Sequence, residues 1–368
     1  MDKDDIRRES GGDDTPVADR RDFLKAATLV GGAAAAFGAM GHKFASAQNI
    51  QLAQATPAMS DKPWWPHPKW GKDDQAGASN HITPAKVLDS AKWIKDGKIY
   101  RIGRVYEAAM PKFGDRAFTL RIPGAPTGGP FGANKLIYFD EYLSTEIGQT
   151  GTQFDGLGHI GVQMGKDGDK NEMRFYNGVT LQEMTVAGGL SVSTGLTRLG
   201  IENCKPLFTR AHLFDIEGLK GKMLEAGEEI KLADLRAAMQ KQNMKEEDIK
   251  EGDGLFFNTG WGKLWMKNND KFNSGEPGIG LEVAKWIIDK GATVIGADTW
   301  ATEVVPNPDK TLAFAVHAEV ICKNGIYNHE NLDFTALIAD NKYQFVYVFS
   351  PAPIKGGTGS NGGPLAMT

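Results

Sequence analysis

Between residues 148 and 159 the chain reads GQTGTQFDGLGH, with Gln149 and Gln153 four apart and Asp155 and His159 four apart. A carboxylate, an imidazole and two carboxamides on one short segment can hold a cation or move a proton if the backbone lets them converge. Ordered glycine is entropically costly, so the four glycines in these twelve residues point to tight turns or close backbone approach. The spacing alone also suits a structural turn, with Asp155 as an Asx cap and His159 as a satisfied loop histidine.

A second group of reactive side chains lies in AVHAEVICKNGIYNHENLDFTALI, where His317 is flanked by Ala315, Val316, Val320 and Ile321 and is followed thirteen residues later by Glu330. A buried imidazole with a distant carboxylate is either a satisfied core histidine or a metal ligand. His329, next to Glu330, points the other way if the segment is extended.

These side chains need a rigid frame. KLIYFD, AHLFDIE, GLFFNTGW, ATVIGAD and YQFVYVFS are short apolar runs between Gly and Pro, and are expected to form buried strands. KLADLRAAMQKQ and GLEVAKWIIDKG carry helical periodicity, the second with Gly291 as its C-terminal cap before the next strand. Thr83 and Pro84 open a further helix as N-cap and first helical residue, with Val87, Leu88, Ala91 and Ile94 as its buried stripe. The pattern predicts one α/β domain of about 300 residues.

The 368 residues are 24% charged with a formal net charge of -4, as in an ordinary globular protein. Basic residues are scattered, and neither zinc-finger spacing nor an aromatic-basic RNA motif occurs, which argues against a nucleic-acid partner. Cys204 and Cys322 form neither a CxxC motif nor a zinc cluster and are expected as buried free thiols.

Residues 1–47 read as a twin-arginine export signal. Arg20 and Arg21 precede Phe23, Leu24 and Lys25, then an Ala/Gly run and Ala45-Ser46-Ala47, with cleavage before Gln48 and a periplasmic destination. The run is too short and too rich in Gly and Ala to span about 30 Å of hydrocarbon, so no membrane association is expected after cleavage. Residues 48–75, containing KPWWPHPKWG, are expected to form an extended Trp- and Pro-rich arm, and 76–368 the main domain. Trp64, Trp65 and Trp300 are candidate walls of a substrate pocket, because aromatic surfaces suit planar or apolar small molecules; each is equally a candidate for core or subunit contact. The stretch from Gly356 to Gly363 suits either a flexible loop over a site or a frayed terminus.

The string 149–159 resembles the signature His-x-Gly-Thr-His-x-Asp-x-Pro-x-His of the metal-dependent cyclase/hydrolase family that includes bacterial kynurenine formamidase and isatin hydrolase. Gly151-Thr152, Asp155 and His159 match, whereas Gln149 and Gln153 stand at the two earlier histidines and Leu157 at the proline. TPAKVLDSAKWIKDGKIY, YNGVT, GIENC, TRAHLFDIEGLKG, GDGLFFNTGWGKLW, GADTWATEVVPNPD, the segment from His317 to Glu330 and the PAPIKGGTGSNGGPLAM tail also look like the longer members. The resemblance implies a swivelling β/β/α-type single domain with a mixed sheet or barrel-like core and peripheral helices.

The resemblance further implies Gln153, Asp155, His317 and Glu330 as metal ligands, Gln149 at a second-ion position, and His159 as the acid/base. One divalent ion is expected, with Mn²⁺ favoured over Zn²⁺ by an oxygen-rich donor set. The implied activity is hydrolysis of an amide, cyclic amide or lactone in a homodimer or homotetramer. The alternative is a periplasmic small-molecule binding protein on the same scaffold, in which the glutamines have ended catalysis.

Overall fold

The computed structural model describes residues 63–185 and 194–368. The export signal and the arm as far as residue 62 therefore lie outside the described residues.

A nine-stranded mixed sheet organises the fold. Its order is Ile99–Arg101, Leu365–Met367, Gln344–Phe349, Leu207–Asp215, Gly254–Asn258, Val294–Ala297, Tyr327–Glu330, Gln153–Asp155 and Gly359–Asn361. The four strands from Leu207–Asp215 to Tyr327–Glu330 run parallel, and antiparallel strands continue the sheet on both sides. Parallel strands need cover on both faces, which explains why GLFFN and VIGA read as unbroken apolar runs. On one face lie Phe214, Leu235, Phe257, Val283 and Ile287, including residues from the helices Leu232–Lys241 and Leu281–Lys290. On the other lie Phe154, Tyr176, Phe256, Tyr327 and Tyr347. Helix Leu281–Lys290 ends where expected, at Gly291 with φ 65°.

Three local expectations fail for physical reasons. Helix Pro84–Ala91 is capped by Thr83 as predicted, but Leu88 on its intended buried stripe is exposed. The inward face is polar instead: Ser90 is fully buried and Lys86 pairs with the buried Asp253. KLIYFD is also not a buried strand, because Leu136–Tyr138 pairs only with Gly128–Phe131 in a separate hairpin and is exposed. The glycine-rich tail is neither a lid nor a frayed end, since Gly359–Asn361 and Leu365–Met367 are strands of the main sheet. Cys204 and Cys322 are both buried and free, and burial pushes each thiol up to about 12.

Close approach of two strands positions the site. Gly296 lies opposite His329, and a Cβ there would stand 2.3 Å from the His329 carbonyl oxygen. Gly296→Ala is accordingly expected to destabilise the protein by about 2 kcal/mol, read as a lower urea midpoint with an unchanged slope.

Candidate metal centre

Strand Gln153–Asp155 lies antiparallel to Tyr327–Glu330, with Gln153 opposite Glu330 and Asp155 opposite Asn328. Side chains alternate along a strand, so these four polar groups share one face while Phe154 and His329 take the other. His329 accordingly packs against Phe154 and Phe349 with Nδ1 2.5 Å from the Tyr347 hydroxyl, and burial pulls it down to about 3.

The glycines of the 148–159 segment let it leave and rejoin the sheet. Gly151 has φ 68°, a conformation costly for residues with a Cβ, and a Cβ on Gly156 would stand 2.7 Å from the Thr358 carbonyl oxygen.

His317 approaches from the other side, at the end of Ala315–His317 where the helix widens into a π-helical turn, Ala318–Lys323. Such widened turns are frequent at functional sites. The imidazole Nε2 is 3.2 Å from Glu330 Oε1 and 3.7 Å from Asp155 Oδ2. Asp155, His317 and Glu330 are buried, and one ligating atom from each lies within 4.8 Å of the others. His159 sits at the more open margin, Nε2 3.7 Å from Asp155 Oδ1, with its side chain 28% exposed.

The carboxamides complete the cluster. Gln149 and Gln153 donate through Nε2 to Glu330 Oε2 at 2.8 and 2.5 Å, and Gln153 Nε2 also donates to Asp155 Oδ1 at 3.1 Å. Gln153, expected as an oxygen ligand, therefore turns its amide nitrogen inward. Its oxygen accepts the Gln149 main-chain N–H, while Gln149 Oε1 is buried with no hydrogen-bond partner.

Several residues of the site carried no motif. Glu303 accepts the His317 main-chain N–H at 2.9 Å, and its Oε1 lies 2.5 Å from His317 Nδ1, so it fixes the ring with Nε2 toward the cluster. Asn328 Nδ2 donates to Glu330 Oε1 at 2.8 Å and Asp155 Oδ2 at 3.2 Å, while its oxygen accepts from Thr302. The sequence clue to Asn328 was its place two residues before Glu330 on an extended segment; Glu303, fourteen residues before His317, lies within GADTWATEVVPNPD, where nothing marked its role. Gln149, Thr302, Phe314 and Asn331 all have positive φ, and backbone strain of this kind gathers at functional sites.

The charge balance favours a cation. Burial and the neighbouring Asp155 raise the Glu330 carboxyl to about 7. Burial pulls the His317 imidazole down, but its hydrogen bonds to Glu303 and Glu330 outweigh this and hold it well above its usual value. Burial, followed by the nearby Glu330, raises Glu276 as well. Two carboxylates, an imidazole nitrogen and an unpartnered carboxamide oxygen form a donor set that a divalent ion fits.

The Cyclase family model, described as "Putative cyclase", matches residues 27–304. A crystal structure of a novel cyclase is 30% identical, with coverage of 82% of this chain and 98% of that one and a TM-score of 0.68. The chain belongs to the Cyclase family. Isatin hydrolase A from Labrenzia aggregata, bound to benzyl benzoate, shares the fold at 17% identity and TM-score 0.52, covering 73% of this chain and 93% of its own. Isatin hydrolase A from Ralstonia solanacearum does so at 17% and 0.53, covering 77% and 96%. No curated protein matches the chain significantly.

Trp300 is buried, its indole N–H donating to the Phe272 carbonyl and its ring stacking on Phe113 at 4.8 Å. Phe314, partly exposed, links Trp300 to His317 with centroid distances of 6.3 and 5.7 Å. Trp64 and Trp65 form an edge-to-face pair against Phe175 and Gly178. Phe113 and Phe314, which the sequence did not single out, are the partly exposed aromatics on the line to His317.

Three outcomes follow for the metal centre. A carboxyl raised in the folded state stabilises it below its unfolded value of about 4.5, and this stabilisation is lost as pH rises through about 7. The raised His317 imidazole acts with the same sign. Chelator-treated protein is therefore expected to lose roughly 3 kcal/mol between pH 5 and 8, and the loss should shrink in Glu330→Gln. Mn²⁺ affinity by calorimetry should rise across the same window as the proton is displaced. Glu303→Gln is expected to weaken metal affinity about 10- to 100-fold by loosening the ring that presents Nε2.

Proposed function

We propose that this member of the Cyclase family is an exported, metal-dependent hydrolase cleaving an amide, cyclic amide or lactone bond. The observation that carries the proposal is the buried convergence of Asp155, His317 and Glu330 beside the more open His159. Asp155, His317 and Glu330 would hold one divalent ion, with a glutamine oxygen, from Gln149 or from Gln153 after its carboxamide rotates, as a further donor. Mn²⁺ suits this oxygen-rich set, while raw affinity favours Zn²⁺. When bound, the ion supplies Lewis acidity, lowering the pKa of a water toward neutrality and polarising the scissile carbonyl.

The chain's own groups do the rest. His159 takes the proton from the attacking water and returns it to the departing nitrogen or oxygen, leaving a carboxylate product. Asp155 Oδ1 lies 3.7 Å from that imidazole on its buried side. Glu303 holds the His317 tautomer, and Asn328 keeps the two carboxylates apart and hydrogen-bonded. Phe113 and Phe314, with Trp300 behind them, offer an apolar wall for a planar substrate. The export signal and a cytoplasm low in free zinc support loading with manganese before translocation.

A second reading has its own observation. The two glutamines satisfy Glu330 through N–H donors, so the cluster closes by hydrogen bonds alone, as a small-molecule binding protein would allow. The two separate cleanly. His159→Ala should lose at least a hundredfold in kcat on cyclic amides or lactones while retaining its metal, and Asp155→Ala should lose the metal as well, by elemental analysis. Absence of metal from wild-type protein after Mn²⁺ and Zn²⁺ supplementation would sink the hydrolase reading.

A further inference from the structure

A second cluster of charged side chains lies away from the metal centre. Lys250, Glu251 and Asp253 precede strand Gly254–Asn258, whose first residue pairs with Val294, itself opposite Tyr327. Tyr327 opens the strand that Glu330 closes, so this cluster sits at the other edge of the parallel sheet from the metal ligands. A cavity of about 420 Å³ opens there, a volume in the range of small-molecule sites. Lys69, Lys86, Arg210 and Lys250 face it, against two carboxylates, Asp89 and Glu251. Even with Asp253, which lies beneath, the basic groups outnumber the acidic ones, in a chain whose formal net charge is -4.

The floor of the cavity is held from below. Asp253 is fully buried, and its carboxylate accepts from Lys86 Nζ, from Arg210 Nε and Nη2 at 3.1 and 3.3 Å, and from the Lys250 main-chain N–H at 2.8 Å, with His212 Nε2 3.0 Å away. One carboxylate thus anchors two cations and an imidazole. The Arg210 guanidinium also lies over Trp93 at 5.1 Å. The Lys86 and Arg210 side chains are each only 10% exposed, so packing fixes both where they meet the cavity.

The rim is paired more loosely. Asp89 meets Arg210 at 3.1 Å and Glu251 meets Lys69 at 2.5 Å, but both carboxylates are about half exposed, and such pairs contribute little. Lys250 is exposed and forms no ion pair among the described residues; its ammonium donates to the Glu247 carbonyl alone. Thr83 and Ala85 bring the N-terminal end of helix Pro84–Ala91 to the same cavity. The Ala85 N–H has no acceptor within the helix, and a helix N-terminus favours negative charge. His81, on the wall, registers the surplus: burial first and the Lys69 charge next pull it down to about 4, although Glu251 opposes them.

We propose that this cavity binds a small dianion, a phosphate ester or a dicarboxylate, at a site separate from the metal centre. The anion lies across Lys86 and Arg210, takes the Ala85 N–H as a further donor, and draws in Lys69 and Lys250 from the rim. It stands where Asp89 and Glu251 now give only exposed and partial compensation. Binding there requires no metal.

The test is isothermal titration calorimetry of the full chain, freed of metal by a chelator, with inorganic phosphate and with succinate at constant ionic strength, sodium chloride being the control. One anion per chain is expected to bind saturably, with a dissociation constant of about 1 mM or below. Tighter binding of phosphate assigns the site to phosphate esters, and tighter binding of succinate to dicarboxylates. Lys250→Glu, at an exposed position, is expected to raise the dissociation constant at least tenfold, and Lys86→Met to do the same where it folds. Hydrogen exchange on wild-type protein gives a readout independent of any variant: amides of residues 81–87 should slow with the bound anion and not with chloride. Failure of both anions to saturate the protein at ten times the expected constant would overturn the proposal, as would a folded Lys250→Glu variant that binds like wild type. So would slowing of exchange confined to residues outside 81–87, which would place the anion elsewhere on the chain.

Discussion

The site depends on one register, the antiparallel pairing that sets Gln153 against Glu330 and Asp155 against Asn328. Alternation along the two strands sends these four polar groups to one face and Phe154 and His329 to the other. A slip by one residue would exchange the sets, placing two carboxylates among aromatic rings and two rings among the ligands. The neighbours on either side hold the register. Val294–Ala297 fixes one strand through parallel pairing, close enough that only a glycine fits at 296, and Gly359–Asn361 fixes the other. The C-terminal tail is therefore part of the frame of the metal centre.

That frame concentrates acidic side chains in a dry place. Asp155, Glu276, Glu303 and Glu330 are all buried, and each buried ion costs several kcal/mol unless donors surround it. The fold supplies the donors from main chain as well as side chain. Trp300 and Ala301 donate N–H groups to Glu276, and Val316 and His317 donate theirs to Glu303. Thr302 and Phe314, beside these donors, have positive φ. For a β-branched or bulky residue that conformation costs on the order of 1–3 kcal/mol, so local backbone strain accompanies the solvation of acidic side chains. Glu276 and Glu303 thus act through geometry rather than by reaching the reacting atoms.

The legible part of the site was the part carried by a motif. Asp155, His159, His317 and Glu330 could be named because the 149–159 string and the His317 to Glu330 segment resembled a known pattern, and the structure places Asp155, His317 and Glu330 together. Glu303 and Asn328 stand inside segments that resembled the family, but their roles were illegible because they arise only when separate parts of the chain meet. The central strands and both long helices followed from periodicity. KLIYFD did not, since a short apolar run looks the same whether a core covers it or a hairpin carries it into solvent. The Pro84–Ala91 helix was misread for a related reason: its inward neighbours, Arg210 and Asp253, are charged, so Lys86 and Ser90 turn inward rather than Leu88. Composition along the chain cannot reveal the polarity of what will pack against it.

The two glutamines change the balance between proton and cation at the centre. A neutral imidazole has one ring nitrogen that can ligate a metal, whereas a carboxamide has an oxygen acceptor at one end and two N–H donors at the other. Here Gln149 and Gln153 present their N–H ends to Glu330, which stabilises the carboxylate without an ion. The burial and the Asp155 charge that push the Glu330 proton affinity upward also favour a divalent cation, so proton and ion compete for one charge deficit. An ion entering this site displaces hydrogen bonds that histidines at 149 and 153 would not make in the same form. It gains oxygen donors in exchange, from Asp155, Glu330 and a carboxamide.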